Sequence, residues 1–550
     1  MTVKVKMIYH TIRHLRPQQV INRLWAHLVN ARFRVVQVPD KRLGFPRFRD
    51  AAYQAPTLVG HKTFRFLGET HYVSTSEWDK PTLSLLWRYH LQYFDDLNAK
   101  DADTRFNEHV ILLNDWIHAS LPIDHVAWAP YPTSLRLVNW IKWLSRYSDQ
   151  AAPSLLNSIA RQADILEQRI EYHLLGNHLI ENARALIFVG AFLNSNDADR
   201  WLNKGLKIID REIGEQFLSD GGHFERSPMY QGTVLSGVLD LIELARGHSH
   251  IAFKNRYPAW VALFEKGLKW LEAMTFSDGE IAFFNDAAYE VAPTAQALRQ
   301  RAQQIGIHIS SLSAPKLESE ICLIDLEDSG YARVDWSGAS LIADMACVGP
   351  DYLPGHAHAD SLSFEFMLNE TRVFVNSGTS TYEKGPERQR QRGTAAHNTV
   401  QVDGQDSSEV WAGFRVARRA YPQGRSVLKA NEVVTLTCSH TGYLRLPGKV
   451  RHTRKWVCKA SQLEIEDYLD GNFTKAVGYL LLHPTWKLVR DSESTVLLKQ
   501  HDGREIIIDV KGGVLHAEAG TWHPRFGESV STIRLITDFT DPLVRHCFNW

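Results

Sequence analysis

The chain has 550 residues, enough for two to four domains, of which 44% are apolar and 23% charged. That is the balance of an ordinary soluble globular protein and excludes disordered, collagen-like and coiled-coil classes. The 62 Lys plus Arg offset 62 Asp plus Glu, so there is no global basic field to collect nucleic acid. The five cysteines, none in CxxC spacing, exclude a disulfide framework and a thiolate metal site.

At the N-terminus, MTVKVKMIYHTIRHLRPQQVINRLWAHL, charges at Lys4, Lys6, Arg13, Arg16 and Arg23 interrupt every apolar run. No hydrophobic core of a secretory signal is seen, so the expected location is cytoplasmic. The basic amphipathic pattern fits a transit peptide or a membrane-surface helix, and fits better a helix packed on the body. The longest uncharged apolar run, Ala185–Leu193, is far short of the roughly 20 residues a transmembrane helix needs, so no integral membrane segment is expected.

Up to about residue 310 the apolar spacing is three and four. It is clear at Leu83–Leu91, Leu135–Leu144, Ile165–Leu175, Asn177–Leu193, Ala198–Phe217, Tyr230–Ala245 and Trp260–Met274, which predicts an all-α domain over 1–310. After about residue 325 the period is two. Ser340–Val348, Ser361–Leu368, Arg372–Val375, Thr399–Val402, Val433–Cys438, Gln462–Ile465, Ala476–Leu482, Thr495–Lys499, Glu505–Val510 and Thr532–Thr537 read as strands. Asn369-Glu370, Asp403-Gly404 and Asp502-Gly503 read as their turns. The second domain, 320–550, is therefore an antiparallel β domain, a sandwich by its pattern. A Ser-, Ala- and Pro-containing linker is expected at Ile307–Glu320.

Three polar clusters carry the candidate chemistry. In His356-Ala357-His358-Ala359-Asp360, alternate residues on a strand would point the same way. They would begin a metal site or supply a base with its orienting partner; a solvated strand entry is the bland alternative. Asn376-Ser377-Gly378-Thr379 and His397-Asn398-Thr399 lie near the same place. In Gly176-Asn177-His178-Leu179-Ile180-Glu181-Asn182, a helix would put Asn177 and His178 on its first turn. Free N–H groups there favour an anion such as a substrate carboxylate, and Glu181 would share their face; ordinary capping would explain the pattern as well. In His223–Gln231, Ser227 and Pro228 read as a helix entry, which leaves Tyr230 near a mouth; a lone Tyr is more often filler. No GxGxxG after a strand, P-loop, GxSxG or HExxH is present, which disfavours nucleotide, serine-hydrolase and zincin chemistry.

In this order, the clusters resemble the heparinase II/III-like polysaccharide lyases. The similarity is strongest at Gly176–Leu186, Gly221–Gln231 and Gly355–Val402, with Trp128–Trp140 and Phe284-Asn285-Asp286 also similar. It implies an N-terminal (α/α) toroid, an incomplete barrel, followed by a C-terminal antiparallel β-sandwich, with the active site between them. The implied activity is β-elimination at a uronic acid of an acidic polysaccharide or oligosaccharide, with a role in surface-polysaccharide metabolism. Asn177 and His178 would neutralise the carboxylate and Glu181 would orient His178. Tyr230 would act as base, acid or both, and His356 as a second base. The implied structural metal, zinc, would be held by His358, Asn376 and His397, although Asn376 stands where the family has Asp. One alternative is a glycoside hydrolase on the same toroid using Glu181, Glu225 or Asp286. Another is a non-catalytic polysaccharide-binding or assembly protein, against which Asn177, His178, Tyr230 and His356 together argue.

Overall fold

A computed structural model describes residues 3–28, 31–34, 39–49, 54–74, 78–310 and 321–550. The expected linker lies outside the described residues from 311 onward. Two helices, α1 (Val3–Ile12) and α2 (Pro17–Leu28), come first, followed by a small three-stranded sheet over Leu58–Tyr72. The helical half then runs through α3 (Leu85–Tyr93), α4 (Phe106–His118), α5 (Pro130–Arg146), α6 (Pro153–Gln168), α7 (Gly176–Phe192), α8 (Asn196–Gln216), α9 (Pro228–Gly247), α10 (Ile251–Ala273) and α11 (Ala295–Gln304). Burial follows the apolar spacing: α5 turns Leu137, Val138, Trp140, Ile141 and Leu144 inward. Helix α7 is apolar all round from Leu186 to Phe192 and runs through the middle, buried over nearly its whole length between its neighbours.

Every paired strand described in the second half is antiparallel. A five-stranded sheet is ordered Thr371–Phe374, Phe364–Leu368, Ala339–Asp344, Tyr331–Trp336, Cys322–Leu326. It faces an eight-stranded sheet whose inner residues, among them Trp456, Cys458, Ile465, Ile508 and Phe548, share one core with Trp336, Leu341, Phe364, Phe366 and Phe374. This is the expected β-sandwich. A four-stranded sheet ordered Val400–Val402, Ala476–Leu481, Val530–Phe539, Gly513–Trp522 covers its flank. Asn369 and Glu370 both take the left-handed backbone, φ +45° and +64°, as a tight hairpin requires.

Several expectations fail for physical reasons. The helix read over Ile165–Leu175 stops at Gln168, and Ile170, Leu174 and Leu175 belong to the turn that aims α7. The strand read from Ser361 begins at Phe364, because Leu362 is left-handed at φ +62°. Arg451–Lys459, Pro422–Ala430, Gly513–Trp522 and Leu543–Asn549 are strands that the pattern did not show. In Arg451–Lys459 the outward positions carry Arg451, Lys455 and Lys459, and even one inward position is charged, Arg454, which is neutralised by Asp467 at 2.7 Å. Helices α4 and α11 were also not read; α11 is mostly polar and rests on a few buried residues such as Leu298 and Ala302.

The halves meet over a polar seam. Glu365, in the five-stranded sheet, accepts from the backbone N–H of Phe283 at 3.1 Å and of Asn376 at 2.8 Å. Arg372 joins it to Asp278, and the Trp270 indole donates to Ser329 Oγ at 2.8 Å. Loop 283–289, which follows α10, is thereby pressed against the β half, and the candidate site lies along this contact.

Candidate active site

Three loops and two helix starts build the site. At the start of α9, Ser227 Oγ caps the backbone N–H of Tyr230 at 3.2 Å, with Pro228 in the first turn. This leaves the Tyr230 ring half-buried at the mouth of the cleft. Its centroid is 3.9 Å from that of His356, and its hydroxyl is 3.0 Å from the hydroxyl of Tyr382. Burial, reinforced by Tyr382 and Asp286, holds the Tyr230 phenol well above the usual tyrosine range. At neutral pH Tyr230 therefore carries its proton.

Asp286 is the hub. Its carboxylate receives His356 Nδ1 at 2.8 Å, His358 Nε2 at 2.8 Å, Thr379 Oγ1 at 3.2 Å and both terminal nitrogens of Arg388. Burial opposes the charge, but Arg388 and the two imidazoles outweigh it and hold the carboxyl well below the usual range. Nδ1 of His356 is thus turned to Asp286, and its other nitrogen, Nε2, faces the cleft 3.7 Å from Glu225.

The entry to α7 is unusual. Leu175 has φ +64° and ψ −155°, a region populated almost only by glycine, and Gly176 follows at φ +60°. A side chain at Gly176 would strike Leu353 and Glu225. This bend delivers Asn177 and His178 to the cleft. Glu225 accepts from Asn177 Nδ2 at 3.2 Å and from its backbone N–H at 3.3 Å. Glu225 thus joins Asn177 to His356. The ring of His178 packs on Tyr131, 4.5 Å between centroids.

Here the structure corrects the sequence reading twice. Glu225 already occupies the backbone N–H of Asn177 and one side of its Nδ2, so what faces a substrate carboxylate is the second Nδ2 hydrogen and the His178 ring. And Glu181 does not orient His178. It turns into the helix bundle and pairs with Arg184 at 2.8 Å, while Glu171 Oε1 meets His178 Nδ1 at 3.2 Å. Burial disfavours the charged imidazole of His178, but Glu171, helped by Glu225, outweighs it and raises the pKa above the ordinary value.

His356, His358 and Asp360 lie on a loop, not on a strand. The two imidazoles still converge, because both bind Asp286; Asp360 instead accepts from the backbone N–H of Asn285 at 3.1 Å. His358 Nδ1 faces His397 Nε2 at 3.2 Å, while Asn376 Oδ1 meets the far nitrogen of His397, Nδ1, at 3.1 Å. The zinc set expected at these positions is therefore incomplete: two nitrogens share a point, and Asn376 buttresses one ring instead of joining them. Among the described residues no group of three or more His, Cys, Asp or Glu converges as a metal site.

Glu171, Tyr382 and Arg388 escape the sequence reading, and Asp286 stands in it as a hydrolase candidate and within the similar segment Phe284-Asn285-Asp286, without its role as the partner of His356. Asp286 and Arg388 are 102 positions apart, and neither is part of a dense motif. The cleft continues past Tyr382 into a cavity of about 520 Å³ walled by Leu86, Thr381, Arg390 and His523.

A helical half followed by an antiparallel sandwich, with a Tyr–His pair and a buried carboxylate gathered at their junction, defines the class of fold, a helical toroid joined to a β-sandwich. Comparisons agree. Residues 88–305 match the family model "Heparinase II/III N-terminus" and 320–550 match "Heparinase II/III-like, C-terminal". The chain belongs to the heparinase II/III-like family. Among its relatives, the heparin-sulfate lyase of Bacteroides stercoris is 24% identical over 375 residues, 63% of this chain and 53% of that protein. That of Pedobacter heparinus is 23% identical over 383 residues, 63% of this chain and 56% of that protein. The chain thus spans about half the length of the curated relatives it matches. In fold it is similar to a crystal structure of heparinase III, with TM-score 0.67 and 18% identity over 88% of this chain and 79% of that one. It is also similar to the heparan sulfate lyase of Pedobacter heparinus, with TM-score 0.57 and 16% identity over 96% of this chain and 87% of that one.

Proposed function

We propose that the chain is a polysaccharide lyase that cleaves a uronic-acid-containing polymer of the glycosaminoglycan class by β-elimination. The observation that carries this reading is the contact of Tyr230 with His356, beside Asn177 and His178. That is one group with a proton, one with a lone pair, and an amide and an imidazole able to meet a carboxylate.

In this scheme His178, charged through Glu171, and the Asn177 amide neutralise the uronate carboxylate, which acidifies the neighbouring C5–H. His356 Nε2 takes that proton. As the C4=C5 double bond forms and the C4–O bond breaks, Tyr230 gives its proton to the departing glycosidic oxygen. Asp286 keeps the His356 tautomer and stabilises the imidazolium that forms.

The hydrolase reading is less well supported. Both oxygens of Asp286 are engaged and the group is held ionised, and Glu181 is paired with Arg184 away from the cleft. Asp286 therefore offers no proton as a general acid, Glu181 lies out of reach of the cleft, and Glu225, the third candidate, caps the entry to α7 through Asn177. The test is incubation with heparan sulfate, chondroitin sulfate and other uronate polymers, followed by the absorbance of the unsaturated uronate. New absorbance, abolished in His356→Ala, is expected. New reducing ends without absorbance would establish hydrolysis instead, and binding without cleavage would leave a carbohydrate-binding protein.

A further inference from the structure

Helices α1 and α2 pack on the body as the sequence favoured, but with the opposite polarity. Their inward contacts are polar. Thr11 Oγ1 takes the Trp411 indole N–H at 3.1 Å, and Gln19, buried, donates to the backbone oxygen of Tyr352 at 3.1 Å. Arg16 lies 3.7 Å over the Tyr352 ring and pairs with Glu215. Their apolar residues face solvent. On α1 these are Val5, Ile8, Tyr9 and Ile12; on α2 they are Ile21, Leu24, Trp25 and Leu28, with Ile21 64%, Trp25 63% and Leu28 78% exposed. Each set has the spacing i, i+3, i+4, i+7, a complete helical stripe. A helix that is only a structural cover turns such a stripe to the core, and contiguous exposed apolar surface marks a binding face.

The charge carried by the segment itself is one-sided. The first 39 residues contain Lys4, Lys6, Arg13, Arg16, Arg23, Arg32 and Arg34 and no Asp or Glu, in a chain whose total charge is zero. Lys6, Arg13 and Arg23 are exposed beside the stripes. Apolar stripes containing Trp and Tyr, flanked by cations and free of acids, have the chemistry of helices that lie in the interface of an anionic bilayer. Among the described residues no helix is long and apolar enough to cross a membrane.

We propose that α1 and α2 form a peripheral docking face for an anionic lipid bilayer. Its position relates it to the cleft. Helix α2 rests on Tyr352, four residues before His356, and α1 rests on the hairpin of Val410–Trp411 and Arg415–Val416. The turn of that hairpin carries Phe414, whose ring centroid is 6.2 Å from that of His356. Docking therefore sets the cleft beside the membrane surface, where polymer held at that surface is within reach. The docking face itself does not depend on the lyase reading.

The test is co-sedimentation of the full chain with phosphatidylcholine vesicles, with and without phosphatidylglycerol. Binding to the anionic vesicles is expected to exceed binding to the neutral ones by about tenfold or more and to weaken with salt. The combined variant Ile21→Ser, Leu24→Ser, Trp25→Ser and Leu28→Ser should lose about tenfold or more of this binding with an unchanged melting temperature. If that variant folds poorly, Lys6→Glu, Arg13→Glu and Arg23→Glu together test the charge half of the proposal and should abolish the preference for anionic vesicles. The proposal is overturned if the parent stays in the supernatant with anionic vesicles, or if the folded stripe variant pellets like the parent. A dimer that the stripe variant abolishes, with no vesicle binding by the parent, also overturns it and makes a second copy the occupant.

Discussion

Replacing Glu171 by glutamine isolates the electrostatics of His178. In the parent the two side chains are 3.2 Å apart, and Asn182 Nδ2 holds the other Glu171 oxygen at 3.1 Å. Glutamine keeps the shape and can still accept from Asn182, but it then turns an N–H toward His178 and favours the neutral ring. A hydrogen bond to a charged group contributes roughly 1.5–3 kcal/mol. Loss of that much carboxylate neutralisation in the transition state lowers kcat/KM about ten- to hundredfold, since each 1.4 kcal/mol is tenfold. The sign with pH follows from the raised pKa. The charged ring and the stability it adds are full below the unfolded value of about 6.5 and are lost as pH rises through the raised folded value. The alkaline limb of the kcat/KM profile should therefore move to lower pH in Glu171→Gln, read by the absorbance of the unsaturated product. Glu181→Gln removes only a smaller, more distant contribution to the raised pKa and should move that limb much less. An unmoved limb in Glu171→Gln, or a shifted one in Glu181→Gln only, would refute the assignment of Glu171 as the partner.

Tyr230→Phe keeps the ring against His356 but removes the proton, so turnover should fall about a hundredfold or more with an unchanged melting temperature; full activity removes Tyr230 from the mechanism. Asp286→Asn leaves Arg388 buried without its charge partner and should cost roughly 3–5 kcal/mol in denaturant unfolding, together with loss of turnover; parental stability would contradict its place as the hub. Asn376→Asp adds a carboxylate beside His397 and should raise the zinc content measured in purified protein, and with it the melting temperature, above those of the parent; stoichiometric, chelator-resistant zinc in the parent would show that the amide is no handicap.

The fold was legible because its two periods are long and separate. Helices such as α5 and α7 carry apolar residues every third or fourth position, and strands such as Val433–His440 alternate inward and outward. The motif residues Asn177, His178, Tyr230 and His356 could be singled out because each stands in a dense local cluster, and the structure brings them to one cleft. What was not legible is what holds them. Glu181 looked like the partner of His178 from helical spacing, but spacing does not see Arg184, three residues on, which claims Glu181, nor the turn that brings Glu171 back across the start of α7. Asp286, Arg388 and Tyr382 join the site through contacts between the halves, and no local pattern marks such contacts.

Asp286 belongs to the helical half and Arg388 to α12 (Pro386–Arg392) of the β half, and their fully buried ion pair is also the fixture that aims His356. The joint between the halves and the aim of the base are thus one mechanical element. Rocking the halves apart would strip a buried carboxylate and guanidinium of their partners, a cost that favours a fixed channel over a jaw. On the proposed lyase reading a polymer would enter along it, past the cavity beside Tyr382, and substitutions scattered through the seam should register first as misdirected chemistry and only later as unfolding.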